Sequence, residues 1–109
     1  MLPSADRAIV DIRKLRDYVL SAENERGRHK ARVFSRALGL GPDDSEWLRG
    51  RILDGVRHAE AVPTNVTPYG ALYRVDVTVE TERGTATVRT GWIVRTGETF
   101  PRLTTCFVL

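Results

Sequence analysis

Leu72-Tyr73-Arg74-Val75-Asp76-Val77-Thr78-Val79-Glu80-Thr81 alternates apolar and polar residues without a break. Tyr73, Val75, Val77 and Val79 fall on one side, and Arg74, Asp76, Thr78 and Glu80 on the other. A period of two predicts a β-strand with one buried and one wet face. Glu82-Arg83-Gly84 reads as a short hairpin connection. The alternation then resumes, with Ala86, Val88, Thr90, Trp92 and Val94 against Thr87, Arg89, Gly91, Ile93 and Arg95. Thr96-Gly97-Glu98 turns the chain again. Leu103, Thr105, Phe107 and Leu109 then alternate with Arg102, Thr104, Cys106 and Val108. Upstream, residues 62–70 hold Pro63, Asn65, Pro68 and Gly70, which predicts a loop or an irregular edge.

Before this region the apolar period changes to that of helices. Ile12, Leu15 and Val19 form one stripe, with Asp11 as the N-cap. Asn24, Arg26 and Gly27 lie in a break. Ala31, Phe34, Ala37 and Leu38 form a second stripe, ended by Gly39 and Gly41-Pro42. Leu48, Ile52, Leu53 and Val56 form a third, capped by Asp43, Asp44 or Ser45, with Asp43 and Glu46 at capping-box spacing. Helices followed by a strand meander predict a single α+β domain over residues 1–109. Three N-terminal helices should pack on one face of a three- to four-stranded antiparallel sheet. Phe34, Trp47, Tyr73, Val75, Val77 and Trp92 are the expected core.

Composition narrows the function. The 109 residues carry 17 Lys+Arg against 14 Asp+Glu, for a net charge of +3. That balance permits nucleic-acid binding without requiring it. No apolar run approaches the roughly 18 residues a membrane span needs, and the N-terminus does not read as a signal peptide. With one cysteine, Cys106, no internal disulfide forms, which favours the cytoplasm. No P-loop, dinucleotide fingerprint, zinc-enzyme motif or nucleophile elbow occurs. No metal site and no cofactor are expected. Cys106, in an apolar strand, reads as a core residue.

Two basic groups remain. Arg26, Arg28, His29, Lys30, Arg32 and Arg36 cluster without an acid, and Lys14 and Lys30 are the only lysines. Gly27 would let the backbone approach a ligand closely, next to the unpaired N–H groups of a helix start. The second group lies on the wet sheet face, where Arg74, Arg89 and Arg102 could converge on one anion or pair with carboxylates across strands.

Lys14-Leu15-x-x-Tyr18-x-Leu20, Gly27-x-x-Lys30-Ala31-x-x-Phe34 and Leu38-Gly39 together resemble the domain of unknown function 6883 family. Tyr69-Gly70, Thr90-x-Trp92 and Pro101-Arg102-Leu103-x-Thr105 agree with it, so the resemblance covers residues 14–109. The family name itself implies no activity. The segment around Lys30 is also similar to the H-x-x-G-x-x-K-A-x-x-F segments of RNase toxin domains in bacterial contact-dependent and polymorphic toxin systems. That similarity implies N-terminal helices on a four-stranded antiparallel sheet and metal-independent RNA cleavage. Where the motif has its histidine this chain has Asn24, which cannot exchange a proton; the histidine present is His29.

The implied activity is a toxin-like RNA endonuclease, half of a toxin–antitoxin pair. A chain that starts at Met1 with no delivery region fits a protein made in the cytoplasm better than the tip of a secreted toxin. His29 would be base or acid, Lys30 and Arg102 would hold the phosphate, and Thr90 and Thr104 (or Thr105) would donate hydrogen bonds. Arg26, Arg28, Arg32, Arg74 and Arg89 would bind the nucleic acid. Trp92 would stack a base or belong to the core. The expected partners are RNA and a small acidic antitoxin or immunity protein, with no membrane. The alternative is a non-catalytic module binding nucleic acid or protein, itself immunity- or antitoxin-like.

Overall fold

The first helix begins where the sequence places its cap. The Asp11 carboxylate accepts the Arg13 backbone N–H at 3.0 Å, which satisfies one orphan donor of the first turn. The computed structural model describes residues 1–25 and 28–109. In it, α1 covers Ile12–Lys14 and continues as a π-helical turn over Leu15–Val19. The wider turn, closed by Leu20 N–H on the Leu15 carbonyl at 2.8 Å, lets Leu15, Val19 and Leu20 all enter the core.

α2, Arg28–Leu38, buries Ala31, Phe34 and Leu38. It stops at Gly39, whose φ of 69° lies in the left-handed region that glycine adopts without strain. A 3-10 turn over Pro42–Asp44 leads into α3, Ser45–Val56. The expected pairing of Asp43 with Glu46 is replaced here. The Asp44 carboxylate reaches back to the Gly41 N–H at 2.9 Å, and the Ser45 hydroxyl donates to the Pro42 carbonyl. α3 buries Ser45, Leu48, Ile52 and Val56. Trp47, expected in the core, is 43% exposed. It precedes Leu48 by one residue and so sits on the flank of the helix, over a cleft shared with Leu38 and Arg83.

The four strands are β1 (Ala61–Thr67), β2 (Gly70–Glu80), β3 (Thr85–Arg95) and β4 (Pro101–Val108). They pair in the order β1-β2-β3-β4, antiparallel throughout. Of the two readings of residues 62–70, the irregular edge holds for β1: its register shifts between Pro63 and Asn65, and it is an edge strand, where proline is tolerated. β2 and β3 pair without interruption from Gly70↔Arg95 to Glu80↔Thr85. Val75, Val77, Val79, Val88, Thr90 and Trp92 are buried on the side that the helices cover.

β4 departs from simple alternation. Leu103 lies opposite Trp92 and Thr105 opposite Gly91, so Thr104 is an extra residue in a β-bulge. The bulge reverses the phase of the strand. Leu103 and Cys106 therefore both enter the core, while Thr105 and Phe107 turn to the open face, opposite Gly91 and Arg89. The expected grouping of Leu103 with Thr105 and Phe107 is corrected by that one residue. The N-terminal segment closes the fold: Ile9 forms a parallel bridge with Arg102, and Leu2 and Val10 are buried.

Candidate nucleic-acid interface

The uncovered face of the sheet carries three short rows, fixed by register. Arg74, Gly91 and Thr105 form one, Asp76, Arg89 and Phe107 the next, and Leu72, Ile93 and Arg102 the third. Gly91 gives the first row a floor without a side chain. A Cβ there would meet the Thr104 hydroxyl at 2.9 Å and the Thr105 methyl at 3.3 Å. Both bulge threonines therefore lean over Gly91, and a cleft of about 200 Å³ opens between Arg74, Arg89, Thr104, Thr105 and Phe107. Lys30 reaches this place from α2. Its ammonium donates to the Thr105 hydroxyl at 2.8 Å and lies 5.4 Å from the centre of the Phe107 ring, a favourable cation–π distance.

Electrostatics sort the arginines. Arg89 forks onto Asp76 with bonds of 2.9 and 3.0 Å. That fork holds the Asp76 carboxyl below the usual carboxylate range, and the field of Arg74 adds to it. Arg102 forks onto Glu98 at 3.0 Å and packs its guanidinium over Phe100. Arg74 has no ion pair among the described residues. It lines the 200 Å³ cleft on one side and, on the other, a second cleft of about 210 Å³ with Glu60, Val62 and Asp76.

The structure thus separates the sequence-predicted site residues. Thr104, Arg74 and Arg89 come together on the open face, and Lys30 reaches its β4 edge through Thr105. Arg102 points to Glu98, and three steps along the strand, about 10 Å, separate it from Thr105. The expected meeting of Lys30 with Arg102 is replaced by that of Lys30 with Thr105. Thr90 is corrected from site to core. It is fully buried, its hydroxyl donates to the Val75 carbonyl at 2.6 Å, and it accepts the Trp92 indole N–H at 2.7 Å. Trp92 is also fully buried, so its core reading holds and its base-stacking reading is withdrawn. Both residues occupy the helix-covered phase of β3.

The basic cluster divides as well. Arg28, Arg32 and Arg36 recur every four residues on α2, on the side away from Ala31, Phe34 and Leu38. Arg32 and Arg36 line a cleft of about 860 Å³ between α2 and the π-helical turn. His29 is exposed on the first turn of α2; successive helical residues lie about 100° apart, so it does not share the direction of Lys30. Arg26 and Gly27 lie outside the described residues. Glu60 was missed by sequence reasoning. It gains meaning only from its place just before β1, where it lines a cleft with Val62, Arg74 and Asp76.

Cys106 is fully buried, and burial pushes its thiol up to about 12 against a weak opposing field from Lys30. The thiolate is the reactive form. A thiol reagent is therefore expected to label the folded protein only as fast as the protein opens, and the full amount only in denaturant. Immediate labelling of the native protein would contradict the core position of Cys106.

Among the described residues, no helix is long and apolar enough to cross a membrane. No curated protein matches the chain. The family described as Domain of unknown function (DUF6883) matches over residues 1–109, and the resemblance seen in the Lys14, Lys30, Thr90 and Pro101 segments is confirmed: the chain belongs to that family.

Proposed function

We propose that the protein is a metal-independent RNA endonuclease of toxin type whose substrate lies on the open sheet face. The carrying observation is the position of Arg74. On one side it lines the cleft of Thr104 and Thr105, whose Thr105 hydroxyl Lys30 bonds from the β4 edge, and on the other that of Glu60. Cations and hydroxyl donors around a small cleft suit a phosphodiester, whose charge is spread over its oxygens. A carboxylate two strand positions away supplies the proton acceptor that cleavage needs.

In this mechanism Glu60 takes the proton of the ribose 2′-hydroxyl. The 2′-oxygen forms a bond to phosphorus, the bond from phosphorus to the 5′-oxygen breaks, and that oxygen leaves with a proton from solvent. Arg74 balances the charge on the phosphoryl oxygens and Thr104 donates to one of them, while Lys30, at the β4 edge, holds the adjoining phosphate. Arg89, already paired with Asp76, fixes the floor of the site. A small acidic protein over the same face would neutralise it, as an antitoxin does.

The test is incubation of the purified protein with total RNA in EDTA, with the ends mapped. Cleavage leaving 2′,3′-cyclic phosphate and 5′-hydroxyl ends is expected. Binding should weaken steeply with salt as counterions are displaced, and Arg74→Ala should lower the salt slope by about one. A second reading, non-catalytic RNA binding, draws on the commitment of Arg89 and Arg102 to carboxylates. Salt-sensitive binding with intact RNA would favour it. No binding at low salt would exclude both.

A further inference from the structure

We infer that the cleft beside the outer edge of β4, lined by Lys14, Tyr18 and Lys30, is a second subsite that holds the nucleotide flanking the scissile phosphate of a single-stranded RNA. The inference rests on the reading of the open face as an RNA site. It starts from size. The open-face cleft of about 200 Å³ is smaller than the roughly 300–1,000 Å³ of sites that enclose a small organic ligand. It seats a phosphate, and the adjoining sugar and base must lie elsewhere. The cleft around the β4 edge measures about 520 Å³, and Thr104 and Thr105 line both. The bulge is therefore the shared wall of the two clefts.

The lining suits the occupant. The only two lysines of the chain, Lys14 and Lys30, both border this cleft. Asp11 is also there, but Arg13 forks onto it at 3.1 and 2.9 Å and holds its carboxyl at about 2. With that pair balanced, both ammonium groups remain for phosphate. Tyr18 is half-buried against the core and supplies an aromatic ring at the cleft wall, the kind of surface on which a base stacks without regard to sequence. β4 is an edge strand, and Ile9 covers it only from Pro101 to Leu103. No element of the described structure pairs with the strand beyond that point, so a flexible strand can cross from the open face past Thr104. A rigid duplex could not follow that bend around a sheet edge.

The experiment compares two uncleavable 2′-O-methyl RNAs, a dinucleotide and a hexanucleotide, by fluorescence anisotropy at low salt. The hexanucleotide should bind the unaltered protein more tightly. Lys14→Ala removes a contact to the next phosphate and should weaken the hexanucleotide by about tenfold while leaving the dinucleotide, which has a single phosphate, unchanged. Tyr18→Leu removes the stacking wall and should weaken both, as should Arg74→Ala. Lys14 is exposed, so its variant tests the subsite even if Tyr18→Leu fails to fold. If Lys14→Ala leaves the hexanucleotide affinity unchanged while Arg74→Ala lowers it, the subsite is overturned and the open-face reading stands. If neither RNA binds the unaltered protein, both fall together.

Discussion

Trp92→Ala is expected to lower the stability of the protein by about 3–5 kcal/mol, in the range of large aromatic truncations in a close-packed core. Trp92 is the largest fully buried side chain, on the central strand β3. It is flanked through the sheet by Tyr73 on β2 and Leu103 on β4. Its loss opens a cavity at the centre of the sheet and strands the Thr90 hydroxyl without its indole donor. A domain of this length has a total stability of about 5–15 kcal/mol, so much of it would go. Chemical denaturation with the slope held constant gives the number. Trp92→Phe keeps a ring and loses the N–H, and should cost about 1–3 kcal/mol. A change below about 1 kcal/mol for the alanine variant would show that the centre of packing lies elsewhere.

Glu60→Gln is expected to slow RNA cleavage by about 10²–10⁴-fold, the usual effect of removing a general base. The amide keeps the shape of the side chain and cannot take a proton at neutral pH. Binding should persist, because removing a negative charge beside Arg74 does not weaken its hold on phosphate. The measurement is single-turnover cleavage together with affinity for an uncleavable RNA. His29→Ala is the companion variant. A comparable loss there, with Glu60→Gln unaffected, would move the proton transfer from the sheet to the first turn of α2 and overturn the mechanism proposed.

The fold was legible wherever one periodicity ran unbroken. β2 and β3 alternate without fault, and their open and covered faces follow from the residues alone. α2 declared itself through Ala31, Phe34 and Leu38. β1 stayed open between loop and irregular edge because Pro63 and Asn65 look like turn residues, and an exposed edge strand needs no apolar face. β4 misled because Thr104-Thr105 fits either phase; only pairing with β3 reveals the extra residue. Trp47 shows the same limit in a helix, where its place on the flank outweighed its size.

The candidate site was legible in part for the same reasons. Lys30, Arg74, Arg89 and Thr104 were identifiable as residues, but their meeting depends on the bulge that no local pattern announces. Glu60 had no assigned place until β1 existed. Thr90 and Trp92 looked like site residues because a hydroxyl and an indole suit RNA; in the fold they satisfy each other. The arginines of α2 share a composition with Lys30 but not a direction, since helical spacing sends them to another surface.

The bridge between Ile9 and Arg102 has a consequence for how the molecule forms. Ile9 donates to the Pro101 carbonyl and accepts from the Leu103 N–H, both at 2.9 Å. These bonds join segments more than 90 positions apart, and closing so long a loop carries a large entropic cost before any contact rewards it. Contacts of long sequence separation slow folding relative to helical proteins of equal size. The bridge made by Ile9 therefore closes only once β4 is in place. An agent that captured the β4 edge would leave Ile9 without its strand partner and the N-terminal segment undocked from the sheet.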